Sequence, residues 1–433
     1  MQLLFVSKGR FFYTRIELVK GYVPRLGSTM ELFMSWKRIP NLSYSFVLII
    51  AVACLHYRHP ADIAPQLRSY LDTAIETTRE NALTAGSVNW EAVSGEARRR
   101  AAGRDKIPEL YPIIRFLLAQ LRDGHSFLQL SDELRQGESK ATGAAPEYDL
   151  PAATAAHEPS PYGKRMRPEG ELLHRGARTF GFVFMPQGRR DNRFATSFQQ
   201  LIANLAKAAP CGWIVDLRGN GGGDMWPMLA GLGPLLGEGD LGRFVMPNKE
   251  EYWAYRGGSA IHHGDQLEEA PARVEVTPVP VLIPPPPVAV LIDRGTASSG
   301  EAIAISFLSR IHTRSFGEHT YGASTATRGF RLPDGANLVI AVSTFGDMRG
   351  HVYSDGVAPD EVVSIGDQMA ERNDDPVINA AINWLNGQAE CTSKELVPPS
   401  REGARRAAPW ASPAIIITIR APLIWSARPS LQP

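Results

Sequence analysis

The stretch DRGTASSGEAIAISFLSR, Asp293 to Arg310, sets two adjacent serines, Ser298 and Ser299, between a flexible turn and an apolar helix pattern. A serine hydroxyl becomes a useful nucleophile only where a base takes its proton and donors hold the oxyanion that forms. A tight strand-to-helix turn serves the second need. It exposes the side chain and aims helix N-terminal amides at the reacting carbonyl oxygen. The same serines would also serve as a helix N-cap, with SSGE supporting the first turn. From this stretch alone the two readings stand level.

A second element is DLRGNGGGD, Asp216 to Asp224. Three consecutive glycines after an apolar strand let the backbone approach a ligand and present free amides. Neither GxxxxGK[ST] nor GxGxxG is present, which argues against a nucleotide site, and a second oxyanion donor fits better than a plain turn. A third element is LRDGHSFL, in which His125 closes an apolar helix. A lone histidine in a small polar turn is more often structural than catalytic. His262 and His263 fall in a polar loop, and His351 follows Gly350 near the end of the core.

The surrounding pattern must position these three. TFGFVFMP, GWIVD and VAVLI read as strands; FATSFQQLIANLAKAAP and MWPMLAGLGPLL read as helices. In the first of those helices Phe194, Phe198, Leu201, Ile202 and Leu205 share one face. Alternating strands and helices predict an α/β core. Two amphipathic segments, from Ile63 and from Ile107, predict a helical N-terminal cap over 55–131. Residues 132–178 read as a variable loop or small subdomain and 179–393 as the core. Within the core, Gly237 to Pro287 reads as irregular, ending in a stiff run of prolines.

A net charge of +1 gives no electrostatic reason to expect nucleic acid or an acidic surface as partner. The three cysteines, Cys54, Cys211 and Cys391, form no metal-binding spacing and are too few for a disulfide framework. No metal and no cofactor is expected. From Met34, Lys37 and Arg38 precede the apolar run Phe46 to Leu55, and AVAC follows within it. A basic region, a short apolar core and small residues predict a signal peptide over 34–54, with Cys54 a candidate lipid anchor. Translation is then expected to start at Met34, with 1–33 a spurious extension. The basic tail 394–433, rich in Pro and Ala, reads as disordered or non-native.

The motifs LRDGHS, DLRGNGGG, DRGTASSGEA, GEHTYGAS and DGVAPD occur in this order between Ile63 and Ile365. Together they resemble the serine peptidases related to tail-specific or C-terminal processing proteases, tricorn protease and interphotoreceptor retinoid-binding protein. The resemblance implies a ClpP/crotonase-like superhelical core and a peptide or protein substrate. It gives Ser298 the nucleophile's place, with oxyanion donors from the Ser299 amide and from Gly221 or Gly222. The bacterial processing branch uses a Ser–Lys dyad, with the lysine directly after an aromatic–glycine pair. Here that pair is Tyr321–Gly322 and Ala323 follows, so no lysine base stands there.

The tricorn-like branch uses a histidine from the preceding helical region, and His125 stands in that place. Its ordinary pKa near ~6.5 suits proton abstraction and return at neutral pH. The resemblance implies Asp355 as the orienting acid, with Asp123 and Glu301 as substitutes. The interval 132–178 is too short for the PDZ domain of the processing proteases. The expected protein is thus an exported serine peptidase. The alternative is a catalytically inactive small-molecule or peptide-binding protein on the same scaffold.

Overall fold

The computed structural model describes residues 2–7, 10–15, 63–144, 160–188, 191–265, 267–366 and 370–392. The expected signal peptide, Cys54 and the tail from 394 lie outside these residues. Met1–His59 forms a unit of its own, in which β1 (Gln2–Ser7) and β2 (Arg10–Arg15) pair as a hairpin. Among the described residues, no helix is long and apolar enough to cross a membrane.

In the second unit the cap comprises α1 (Pro65–Asn81), α2 (Trp90–Ala101) and α3 (Tyr111–Ala119), followed by the short strand β3 (Phe127–Gln129). The helix α2 lies within the expected helical cap, between its two amphipathic segments. Its apolar stripe is weak, but Asn89 caps it by accepting from the Ala92 amide at 3.1 Å. The interval 132–178 holds more order than expected. It begins with α4 (Asp132–Thr142) and ends with β4 (Glu169–Arg175), which a two-residue turn joins to β5 (Arg178–Phe184).

The core continues through α5 (Asn192–Ala206), β6 (Gly212–Asp216) and α6 (Met225–Leu236). Next comes a meander of β7 (Gly239–Met246), β8 (Lys249–Arg256), β9 (Ser259–Gly264) and β10 (Leu267–Arg273). These four strands correct the irregular reading of Gly237 to Pro287. The turn pairs Pro247–Asn248 and Gly257–Gly258 marked the reversals. The strands between them alternate polar and aromatic residues too unevenly to show a clear period. Beyond the turns, the stretch Val274 to Pro287 lacks strand and helix.

After the prolines come β11 (Val288–Ile292), α7 (Ser299–Leu308), β12 (Thr313–Gly317), β13 (Thr325–Arg331) and β14 (Asn337–Gly346). The short strands β15 (Val352–Tyr353) and β16 (Glu361–Val362), then α8 (Pro376–Asn386) and α9 (Ala389–Thr392), complete the chain.

Two sheets organise these elements. The first runs β16-β12-β11-β6-β5-β4 and is parallel except for β4. Its central strands β5, β6 and β11 are buried on both faces, and side-chain alternation sorts their residues into two cores. Val183, Val215, Val290 and Ile292 face one core, shared with α5, α6, α7 and the meander. Phe182, Ile214, Ala289 and Leu291 face the other, closed by Val377, Ile378 and Leu385 of α8. In that second core Cys211 and Cys391 form a disulfide.

The second sheet is antiparallel, β10-β9-β8-β7-β14-β13, with β3 and β15 also paired to β14. The cap is therefore not a detached module. Leu110, Ile114 and Leu117 pack with Leu332, Leu338 and Ile340 from the β13–β14 hairpin.

Candidate active site

Strands β6 and β11 are parallel neighbours, with Asp216 opposite Leu291. Their C-terminal loops therefore emerge side by side, where open α/β sheets carry their ligand sites. Buried Asp293 ties the two loops together by accepting from the Gly219 amide at 2.8 Å and the Gly295 amide at 2.9 Å. Thr296 Oγ1 donates to the Leu217 carbonyl at 2.9 Å, and the Ala297 amide to the Asn220 carbonyl at 2.9 Å. Below them Arg218 is fully buried, gripping Asp216 with two nitrogens and reaching Asp375 at the start of α8. A buried cation so placed is tolerable only because its partners are fixed, and here they lock the glycine loop to the sheet.

Ser298 is the N-cap residue of α7 and has φ +53° and ψ −121°. That backbone conformation is costly for a residue with a Cβ, and such strain concentrates at functional sites. Two contacts enforce it. Glu301 Oε2 accepts the Ser298 amide at 2.9 Å, while its other oxygen accepts Thr320 Oγ1 at 2.6 Å and the Gly322 amide at 2.9 Å. Burial raises the Glu301 pKa, and these donors act against the rise. The second contact is Gly222, at φ +104°, which lies so close that a Cβ there would fall 2.9 Å from the Ser298 Cβ. Ser298 is thus the N-cap of α7, with Glu301 reaching back to accept its amide.

Ser299 differs from its neighbour. Its hydroxyl donates to the Gly223 carbonyl at 2.7 Å, so it is committed to holding the glycine loop. Its amide opens the first turn of α7, where main-chain N–H groups have no intrahelical partner. The Gly222 amide donates to Asn220 Oδ1 at 3.0 Å, and Gly221 sits in an open position. Of the three glycines, Gly223 lines the cleft.

That cleft has a volume of about 520 Å³. Ser298, Ser299 and Thr325 lie on one side, and Trp226, Phe244, Met246 and Phe345 form an apolar wall. His262, expected in a polar loop, is instead on β9 in this wall and pairs with Glu251 at 2.9 Å. No lysine is among the described lining residues, and Ala323 is buried.

His125 is buried in the turn between α3 and β3. Asp123 shapes that turn. Its Oδ1 accepts the amides of His125 at 3.0 Å and Ser126 at 2.8 Å, and its Oδ2 accepts Ser126 Oγ at 2.6 Å. The ring's own hydrogen bond joins Nδ1 to Thr325 Oγ1 at 2.7 Å. Burial lowers the His125 pKa, and the Asp123 charge offsets part of the change.

None of the three expected carboxylates meets the ring. Asp123 holds its main chain and Glu301 holds the serine turn. Asp355 lies instead beside Gly322, in a separate cavity of about 440 Å³ with His319, Asp347 and His351. The strand before the DGVAPD turn, β15, pairs with Phe345 and Gly346 of β14, whereas β3 pairs with Asn337 to Val339. Thr325 and the aromatic wall were not foreseen. Trp226 comes from α6, while Thr325, Phe244, Met246 and Phe345 come from the sheet that includes the meander.

A strained serine at a strand-to-helix turn is thus set against a glycine loop at the end of a buried parallel sheet. Residues 180–363 match the model described as peptidase family S41. The chain is 23% identical over 328 residues to the nisin-resistance protein of Lactococcus lactis subsp. lactis, covering 75% of this chain and 89% of that one. It is 29% identical over 154 residues to a carboxyl-terminal-processing protease of Synechocystis sp., covering 35% of this chain and 31% of the relative. Among solved structures, a lipoprotein from Streptococcus agalactiae superposes with a TM-score of 0.52 at 19% identity, covering 75% of this chain and 97% of that one.

Proposed function

We propose that the chain is an exported peptidase in which Ser298 attacks a peptide carbonyl and His125 serves as general base. The Ser298 proton passes to His125 Nε2 as the Oγ–carbon bond forms. Collapse of the tetrahedral intermediate returns that proton to the leaving amine, and water then releases the acyl group by the same route. The Ser299 amide and an amide of the Gly221–Gly223 loop would hold the oxyanion, a contribution of about 10²–10³ in rate per donor. Ala323 in the place of the dyad lysine favours the histidine route.

The observation that carries this reading is Thr325. It lines the cleft with Ser298 and holds the His125 ring at 2.7 Å, so it joins the cap's base to the core's nucleophile. The apolar wall suits a peptide with bulky hydrophobic side chains near the cut bond. Since one relative is named for nisin resistance, nisin is the first substrate to assay. Export is supported by the basic and apolar N-terminal pattern and by the Cys211–Cys391 disulfide, a bond that persists in oxidising compartments.

Labelling with a fluorophosphonate, followed by peptide mapping, tests the assignment. Wild-type protein is expected to label at Ser298, Ser298→Ala not at all, and His125→Ala slower by at least about 10²-fold. A folded wild-type protein that takes no label would favour the binding-protein reading.

A further inference from the structure

His125 and Thr325 come from different parts of the fold, 200 residues apart, yet both are fixed to one strand. On the His125 side, Phe127 and Leu128 of β3 pair with Val339 and Leu338 of β14. The Ala341 amide of β14 also donates to Ser126 Oγ at 2.9 Å. On the other side, Thr325 opens β13 opposite Thr344 of β14, and the Phe345 amide donates to the Ser324 carbonyl at 2.9 Å. The 2.7 Å contact between ring and hydroxyl is thus set by strand register.

The geometry points to Thr325 as the positioning residue for His125, with the hydroxyl oxygen accepting the Nδ1 proton where a carboxylate would otherwise stand. This rests on the Ser298–His125 reading. With its proton on Nδ1, a neutral imidazole presents Nε2 as the acceptor for the serine proton. Through the cycle the Nδ1 proton stays on the ring. Nε2 gains the Ser298 proton and gives it to the leaving amine, and Thr325 neither gains nor loses one. A hydroxyl differs from a carboxylate in two ways. It carries no charge to stabilise the imidazolium, and it can donate as well as accept, so it fixes the tautomer less firmly.

The test uses Thr325→Val, which keeps shape and removes the acceptor, and Thr325→Ser, which restores it. Inactivation by the fluorophosphonate and turnover of a peptide substrate are followed from pH 5 to 9, in protein purified without its signal segment. Thr325→Val is expected to lose about 10- to 100-fold in kcat and labelling rate with KM little changed. The acid limb of its pH profile should move down, because the imidazolium has lost an acceptor. Thr325→Ser should return to within about threefold of wild type, as a hydroxyl that acts by hydrogen bonding requires.

Nitrogen NMR of the wild-type histidines gives a readout that needs no variant. His125 should be the Nδ1–H tautomer when neutral. An Nε2–H tautomer would overturn the proposal. So would a Thr325→Val enzyme with wild-type rate and pH profile, provided wild type still labels at Ser298 and His125→Ala does not. Failure of those two controls would instead remove the underlying Ser298–His125 reading.

Discussion

At the scale of single residues, the site separates chemistry from scaffolding by what each polar atom already holds. Ser299 spends its hydroxyl on a carbonyl, Glu301 one oxygen on the serine turn and the other on Thr320 and the Gly322 amide, and Asp123 its carboxylate on the histidine turn. His125 is held below the ordinary histidine pKa, chiefly by burial. A base must be neutral to act, so the acid limb of kcat/KM is expected below ~6.5, and hydrolysis should persist into mildly acidic solution. A limb above about pH 7 would contradict this assignment of the base. Stability follows the same sign. The unfolded chain binds the His125 proton more readily, so this group's contribution is present above about 6.5 and lost as pH falls through the lower folded value. Urea titrations at several pH values would show the slope.

At the scale of elements, β14 carries the arrangement. It pairs with β3 of the cap at one end and β7 of the meander at the other, while β13 runs along its opposite edge. Ser126 bridges the gap between β3 and β7 by accepting the Ala341 amide. Ser126→Ala would leave that amide without its partner and should cost about 1–3 kcal/mol in stability. Because His125 is the next residue, kcat should fall as well. Chemical denaturation and steady-state kinetics on the one variant check both parts.

Much of this scale was readable beforehand. GWIVD and VAVLI are short apolar runs of the kind that only a doubly covered parallel strand requires, and the Phe194–Leu205 face was regular enough to give α5 directly. The serine turn and the glycine loop were readable because glycines and adjacent serines have few other uses at the ends of such strands. The meander was not, since its alternation is broken by bulges between Asp240 and Gly242 and between Glu269 and Ala272. Thr325 was not readable either. Nothing local distinguishes it from Thr327, and only the β13–β14 register brings it to His125.

At the scale of the whole molecule, the Cys211–Cys391 bond joins the entry to β6 with the short helix α9. Loss of a native disulfide typically costs about 2–5 kcal/mol. Cys391→Ser is therefore expected to melt at a lower temperature while labelling normally at Ser298 below its transition. A calorimetric scan with and without reductant would show the wild type converging on the variant.

The bond also divides the chain into a closed circle and a free arm. Ser298, the three glycines and Thr325 are all inside the circle, whereas His125 belongs to the arm. A single proteolytic nick within the circle would leave both pieces tethered through sulfur. A nick between the cap and Cys211 would break the covalent link between His125 and Ser298 and leave the pairing of β3 with β14, and the packing beneath it, to hold the two pieces together.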